Sequence, residues 1–108
     1  MERIYKKIKK LSELKGIVRE LKKQNKKIAH CHGVFDLIHP GHIRHLAAAK
    51  KEADVLIVTV TADPFVKKGP GRPIFNHNLR AETLASFSSV DYVAVNHALT
   101  ATNCIKLI

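Results

Sequence analysis

Cysteine is scarce in this chain: Cys31 and Cys104 are the only two among 108 residues. They allow one disulfide at most, which excludes a scaffold built on disulfides and makes a reducing cytoplasm the expected setting. Long apolar runs are missing as well. No stretch approaches the roughly 20 residues needed to cross a bilayer. The first residues lack an apolar segment ending in a small-residue cleavage site, so secretion is not expected. There is no internal repeat, no low-complexity tract, and no recognised zinc-finger, RNA-binding or helix-turn-helix pattern. The G-x-G-x-x-G run of dinucleotide sites does not follow Cys31. Acidic residues are few too, nine against 19 Lys and Arg, which leaves a formal charge of +10.

That charge is unevenly placed. Residues 1–27 hold 11 basic and 3 acidic side chains, whereas residues 28–108 hold 8 and 6. The chain therefore reads as a basic N-terminal helical segment, 1–27, followed by a domain, 28–108, of nearly balanced charge. A basic flank can steer anions or touch a membrane surface, and it can equally be the solvated face of a helix. With the excess confined to one end, neither a nucleic-acid nor a membrane partner is favoured.

Alternation of elements gives the fold class. Tyr5–Lys10 is too short and too charged to assign. Ser12 is placed to cap a helix over about 13–24 with Leu14, Ile17, Val18 and Leu21 on one face. Ile28–Cys31, continuing to His32, reads as a strand. Pro40 suits a first helical position, and the helix after it should run to about Lys51, burying Ile43, Leu46 and Ala47. Asp54–Val60 is the strongest strand signal, its continuous apolar character suiting a parallel strand covered on both faces. A connection over 61–75 leads to a helix over 77–88 packing through Leu79, Leu84 and Phe87. Val90–Val95 is a third strand, and Thr100 or Thr102 opens a helix carrying Ile105, Leu107 and Ile108. The expected architecture is α/β, a Rossmann-like, mostly parallel sheet with flanking helices and right-handed crossovers.

The chemistry concentrates between the first strand and its helix, in Gly33-Val34-Phe35-Asp36-Leu37-Ile38-His39-Pro40-Gly41-His42. Backbone N–H groups at a helix start can receive phosphate, and imidazoles add donors to the same place. Read singly, one histidine caps the helix and the other is an ordinary surface residue; together they reach one phosphate cluster and stabilise a transferring phosphoryl group. Lys67-Lys68-Gly69-Pro70-Gly71-Arg72-Pro73 combines cations with enforced turns. Lys68, with Lys67 as a close substitute, suits a triphosphate, and Arg72 either holds phosphate through its planar fork or stabilises the loop. Asp36 orients nearby donors, contributes to a Mg²⁺ site, or serves the loop alone. Asp63 and Arg80 are candidate ligand contacts, with capping and surface ion pairing as the alternatives. Strand alternation sends His30 and His32 to one face, but no Cys or His set has a recognised zinc spacing, and the metal ligands stay open. Strand packing is the expected role of Cys31.

The ten-residue run resembles the G-x-F-D-x-x-H-x-G-H signature of the cytidylyltransferase-like nucleotidyltransferases. Thr61-Ala62-Asp63, Lys68–Pro73, Arg80-Ala81-Glu82 and Val90–Val93 resemble later landmarks of the sugar-phosphate adenylyltransferase domains related to ADP-heptose synthesis, covering roughly residues 28–96. The resemblance implies an HxGH-type fold and attack by a substrate phosphate on a nucleotide α-phosphate with release of pyrophosphate. It implies His39, His42 and Lys68 as catalytic residues, and Gly33, Phe35, Asp36, Gly41, Asp63, Lys67, Arg72 and Arg80 as ligand-binding ones. ATP or CTP would be the nucleotide, ATP favoured, with Mg²⁺ screening the triphosphate. The partners implied are a nucleoside triphosphate and a phosphorylated small molecule, with a homodimer or companion domain beside them. Cys31 and His32 depart from the pattern, which has Thr and Asn there. The family's further strand and Ser/Thr-rich nucleotide motif do not follow Ile105, so the domain is expected to be incomplete at its C-terminus, and a noncatalytic nucleotide-binding or assembly fragment stands as the alternative.

Overall fold

The unbroken apolar run Leu56-Ile57-Val58 lies in the middle strand of the sheet, where both faces are covered. In the computed structural model, which describes residues 1–67 and 69–97, the chain order is α1 (Glu2–Lys7), α2 (Leu11–Lys23), β1 (Ile28–Gly33), α3 (Pro40–Lys51) and β2 (Val55–Thr61). A 3₁₀ turn (Asp63–Phe65), α4 (His77–Ala85) and β3 (Tyr92–Asn96) complete it. The three strands form one parallel sheet in the order β1-β2-β3, with His32 opposite Thr59 and Val60 opposite Val95. Parallel neighbours need long crossovers, which α3 and α4 supply. The architecture is α/β and Rossmann-like, as the alternation implies.

Each face of the sheet has its own apolar cluster. On one, Leu14 and Val18 of α2 pack with Ile57 and Ala94; on the other, Leu46 of α3 and Ala81, Leu84 and Ala85 of α4 pack with Leu56, Val58, Val60 and Val93. Period-2 alternation along β2 explains the division, odd residues meeting α2 and even ones α3 and α4. Ile4 and Ile8 close the second cluster from the N-terminal side, and Lys9 N–H donates to Val93 O at 2.8 Å on the outer edge of β3.

Several expectations are corrected. The helix at 13–24 begins earlier, at Leu11, because the Glu13 carboxylate, rather than Ser12, accepts the Lys10 backbone N–H at 3.0 Å. Residues 2–7, whose sequence carries no clear signal, form a helix held to α4 by Tyr5 Oη donating to Glu82 at 3.2 Å and to the turn after α4 by Lys7 Nζ donating to Phe87 O at 3.1 Å. Ile43 and Leu79, expected in the core, are 43% and 46% exposed. The inward positions of the two helices are filled instead by Leu46 of α3 and by Ala81, Leu84 and Ala85 of α4. Helix α4 stops at Ala85, where the Ser86 hydroxyl donates to Thr83 O and Phe87 N–H to Leu84 O, tightening the chain into turns before β3. The third strand starts at Tyr92, and Asp91 instead takes Leu56 N–H at 2.8 Å and Lys50 Nζ at 2.6 Å. The helix expected after Thr100 lies outside the described residues.

Candidate phosphate-binding site

Gly33 ends β1, and a Cβ there would stand 2.9 Å from the Phe35 ring, so only glycine lets the ring fold back over the strand end. Phe35 itself takes φ +54°, a left-handed backbone that costs a non-glycine residue about 1–3 kcal/mol. The reversal brings the buried ring edge-on to His42, centroids 5.4 Å apart at 64°. The chain then enters α3 at Pro40, with His39 as its N-cap.

The two histidines cap the helix reciprocally. His39 Nδ1 accepts from Gly41 N–H at 3.0 Å, and His42 Nδ1 accepts from His39 N–H at 3.1 Å. Their rings lie 3.9 Å apart, centroid to centroid. An Nδ1 that accepts carries no proton, so the hydrogen bonds assign both rings as Nε2–H tautomers. Gly41 has its own steric reason: a Cβ there would meet His39 Cε1 at 2.7 Å.

The expected ligand-binding residues divide into an open set and a framing set. Lys67 is exposed, and Gly69 and Gly71 hold φ of +100° and +77°, where a Cβ on either would meet nothing within 4 Å. Lys68 lies outside the described residues. Arg72 turns inward, its Nη1 donating to Asp36 O at 2.9 Å and to the Asp36 carboxylate at 3.0 Å. Asp36 is 2% exposed and also receives Ile74 N–H at 3.0–3.1 Å and Phe75 N–H at 3.4 Å. Burial opposes its ionisation, but the Arg72 guanidinium and the two N–H donors outweigh it and hold the carboxyl below the usual carboxylate range. Arg80 is buried, with its guanidinium on protein oxygens that include Asp63 Oδ1 at 2.7 Å. The His77 Nδ1 that stands 3.3 Å from the Asp63 carboxylate accepts Asp63 N–H at 3.1 Å, so hydrogen bonding rather than charge pairing joins them.

Sequence reasoning missed a polar group on the α2 face of the sheet. His30 Nε2 and His32 Nδ1 both reach the buried Thr59 Oγ1, at 2.8 and 2.7 Å. One hydroxyl donates once, so it gives its proton to one ring and accepts from the other. Burial pushes both imidazoles below their ordinary value, and the neighbouring His32 pushes His30 further. Only the strand register, which sets His32 opposite Thr59, reveals the group. Cys31, on the opposite face, packs against the core with its thiol raised by burial.

Among the described residues no three His, Cys, Asp or Glu side chains gather as a metal cage. The Asp36 carboxylate is engaged by a guanidinium and two N–H groups. A cavity of about 670 Å³ between Ile8–Leu11 and Val95–His97 includes neither His39 nor His42 in its lining. Among the described residues no helix is long and apolar enough to cross a membrane.

The sequence profile described as Cytidylyltransferase-like matches residues 30–106, which takes in the strand, the reciprocal histidine cap and the cationic loop. The chain belongs to the cytidylyltransferase-like family. It is 43% identical over 103 residues to the bifunctional protein HldE of Aliarcobacter butzleri, covering 94% of this chain and 22% of that protein. The HldE of Actinobacillus pleuropneumoniae serotype 5b is 46% identical over 83 residues, 75% of this chain and 18% of its own length. The chain thus spans about a fifth of the length of these curated relatives. A crystal structure of the lipopolysaccharide core biosynthesis protein from Thermoplasma volcanium superimposes with a TM-score of 0.66 at 30% identity, over 76% of this chain and 68% of that one.

Proposed function

We propose that this cytidylyltransferase-like chain is a nucleotidyltransferase domain that joins a nucleoside monophosphate, from ATP in preference to CTP, to a sugar phosphate or related phosphate. An oxygen of the acceptor phosphate forms a bond to the α-phosphorus while the bond from that phosphorus to the α–β bridging oxygen breaks, and pyrophosphate leaves. The observation that carries the reading is the reciprocal cap of His39 and His42 at the start of α3, just beyond the carboxyl end of β1. Ligands of open α/β sheets bind in the crevice outside those strand ends. Two Nε2–H donors held there by the helix backbone meet the charge growing on the departing phosphates without reorganising. Lys67, on the loop of the positive-φ glycines Gly69 and Gly71, would approach the same anion as a point charge, with Lys68 next to it in sequence. Mg²⁺ belongs to this reading as a companion of the triphosphate, screening its charge, since such ions are commonly held by substrate phosphates.

The test is a panel of nucleoside triphosphates and phosphosugars with Mg²⁺, following pyrophosphate for the native chain, His39→Ala and His42→Ala. Each variant should lose about 10²-fold or more in turnover, the scale of removing one preorganised donor. Unchanged turnover in both would remove the histidines from their roles. The second reading is a noncatalytic nucleotide-binding or assembly fragment of such an enzyme. It predicts triphosphate binding without pyrophosphate release.

A further inference from the structure

Arg80, on the first turn of α4, has 1% of its surface exposed and four protein acceptors. Its Nε donates to Phe75 O at 2.9 Å, Nη1 to Val34 O at 2.7 Å and Thr61 O at 2.8 Å, and Nη2 to Asp63 Oδ1 at 2.7 Å. These acceptors belong to four separate segments: the loop after β1, the end of β2, the 3₁₀ turn and the entry to α4. Asp63 and Phe75 are the two feet of the segment 64–74, which carries Lys67 and the two positive-φ glycines. One planar fork therefore closes the cationic segment at its base and fastens that base to the loop leading to His39. Asp36 adds a second fastening, from the same loop to Arg72, Ile74 and Phe75. Lysine cannot replace this fork, because its three donors radiate from one atom.

We propose that Arg80 is a positioning residue that couples the cationic segment to the histidine-bearing loop, so that an anion ordering one orders the other. The ligand, a nucleoside triphosphate, rests on the function proposed above; the coupling itself does not. The experiment is hydrogen exchange on the intact 108-residue chain, comparing wild type, Arg80→Lys and Asp63→Asn, with and without Mg²⁺ and a nonhydrolysable nucleoside triphosphate. Arg80→Lys should speed exchange at Val66, Ile74 and Phe75 and in residues 34–38 together, by about tenfold for the loss of charge-assisted bonds, while Leu56–Val60 keep their rates. Asp63→Asn, of nearly equal size, should give a smaller rise confined to the foot at Val66. Triphosphate should slow both segments in wild type but only residues 34–38 in Arg80→Lys. Unchanged exchange at Val66 and Phe75 in Arg80→Lys overturns the coupling, as does a uniform rise through β2 in both variants. A wild-type chain that no triphosphate slows would sink the proposed function, and the ligand-free rates would still decide the coupling.

Discussion

At Gly41 two effects of opposite sign compete. Replacing a helical glycine with alanine ordinarily stabilises by about 1 kcal/mol. Here the new Cβ would stand 2.7 Å from His39 Cε1, so the ring must leave the position from which Nδ1 caps Gly41 N–H. Losing an N-cap costs about 0.5–2 kcal/mol, enough to cancel the propensity gain. Gly41→Ala is therefore expected to leave the melting temperature flat or lower and to cut pyrophosphate release about tenfold or more, the donor being displaced. A higher melting temperature with full turnover would show that the cap does not position His39. The histidine pair was legible in the sequence because spacing alone places both on one helical turn. The assignment of a proton to each Nε2 was not, since it depends on which backbone N–H each ring receives.

Among the elements, the buried strands and α3 were the most legible. Val55–Thr61 shows its double burial as a continuous apolar run, and Pro40 marks the helix start. The framing of the cationic loop was hidden because it depends on contacts 36 to 39 positions apart, between Asp36 and Arg72, Ile74 and Phe75. The role of Arg80 was concealed as well, because three of its partners are backbone carbonyls, which carry no side-chain signature. The Asp36 fastening has a direct consequence. Asp36→Asn keeps the shape but replaces one acceptor oxygen with a donor amide that faces Arg72 or the Ile74 N–H. Breaking a buried charged pair costs about 3–5 kcal/mol, and the residual amide bond offsets part of it, so a loss of about 2–3 kcal/mol is expected in urea unfolding. Native-state trypsin should then cut after Lys67 sooner than in wild type. Equal midpoints and equal cleavage would mean that Asp36 does not anchor the loop.

For the molecule as a whole, stability should fall towards acid in two stages set by different groups. His30 and His32 titrate below their ordinary value in the folded chain, mainly through burial. Between that lower value and the unfolded one of about 6.5, the unfolded chain binds more protons, so their contribution is complete above about 6.5 and declines as pH drops through this window. Asp36 is depressed in the same sense. Its contribution is complete above the unfolded carboxylate value of about 3.9 and is lost as pH falls through its lower folded value. Urea midpoints followed by circular dichroism should thus decline from pH 7.5 to 5.5 and again below pH 4. Gln at positions 30 and 32 can still hydrogen-bond Thr59 but takes up no proton. The His30→Gln/His32→Gln chain should therefore show a shallower first decline and keep the second, whereas Asp36→Asn should do the reverse. If the double variant retained the wild-type slope between pH 7.5 and 5.5, the histidines on the sheet face would not govern that limb.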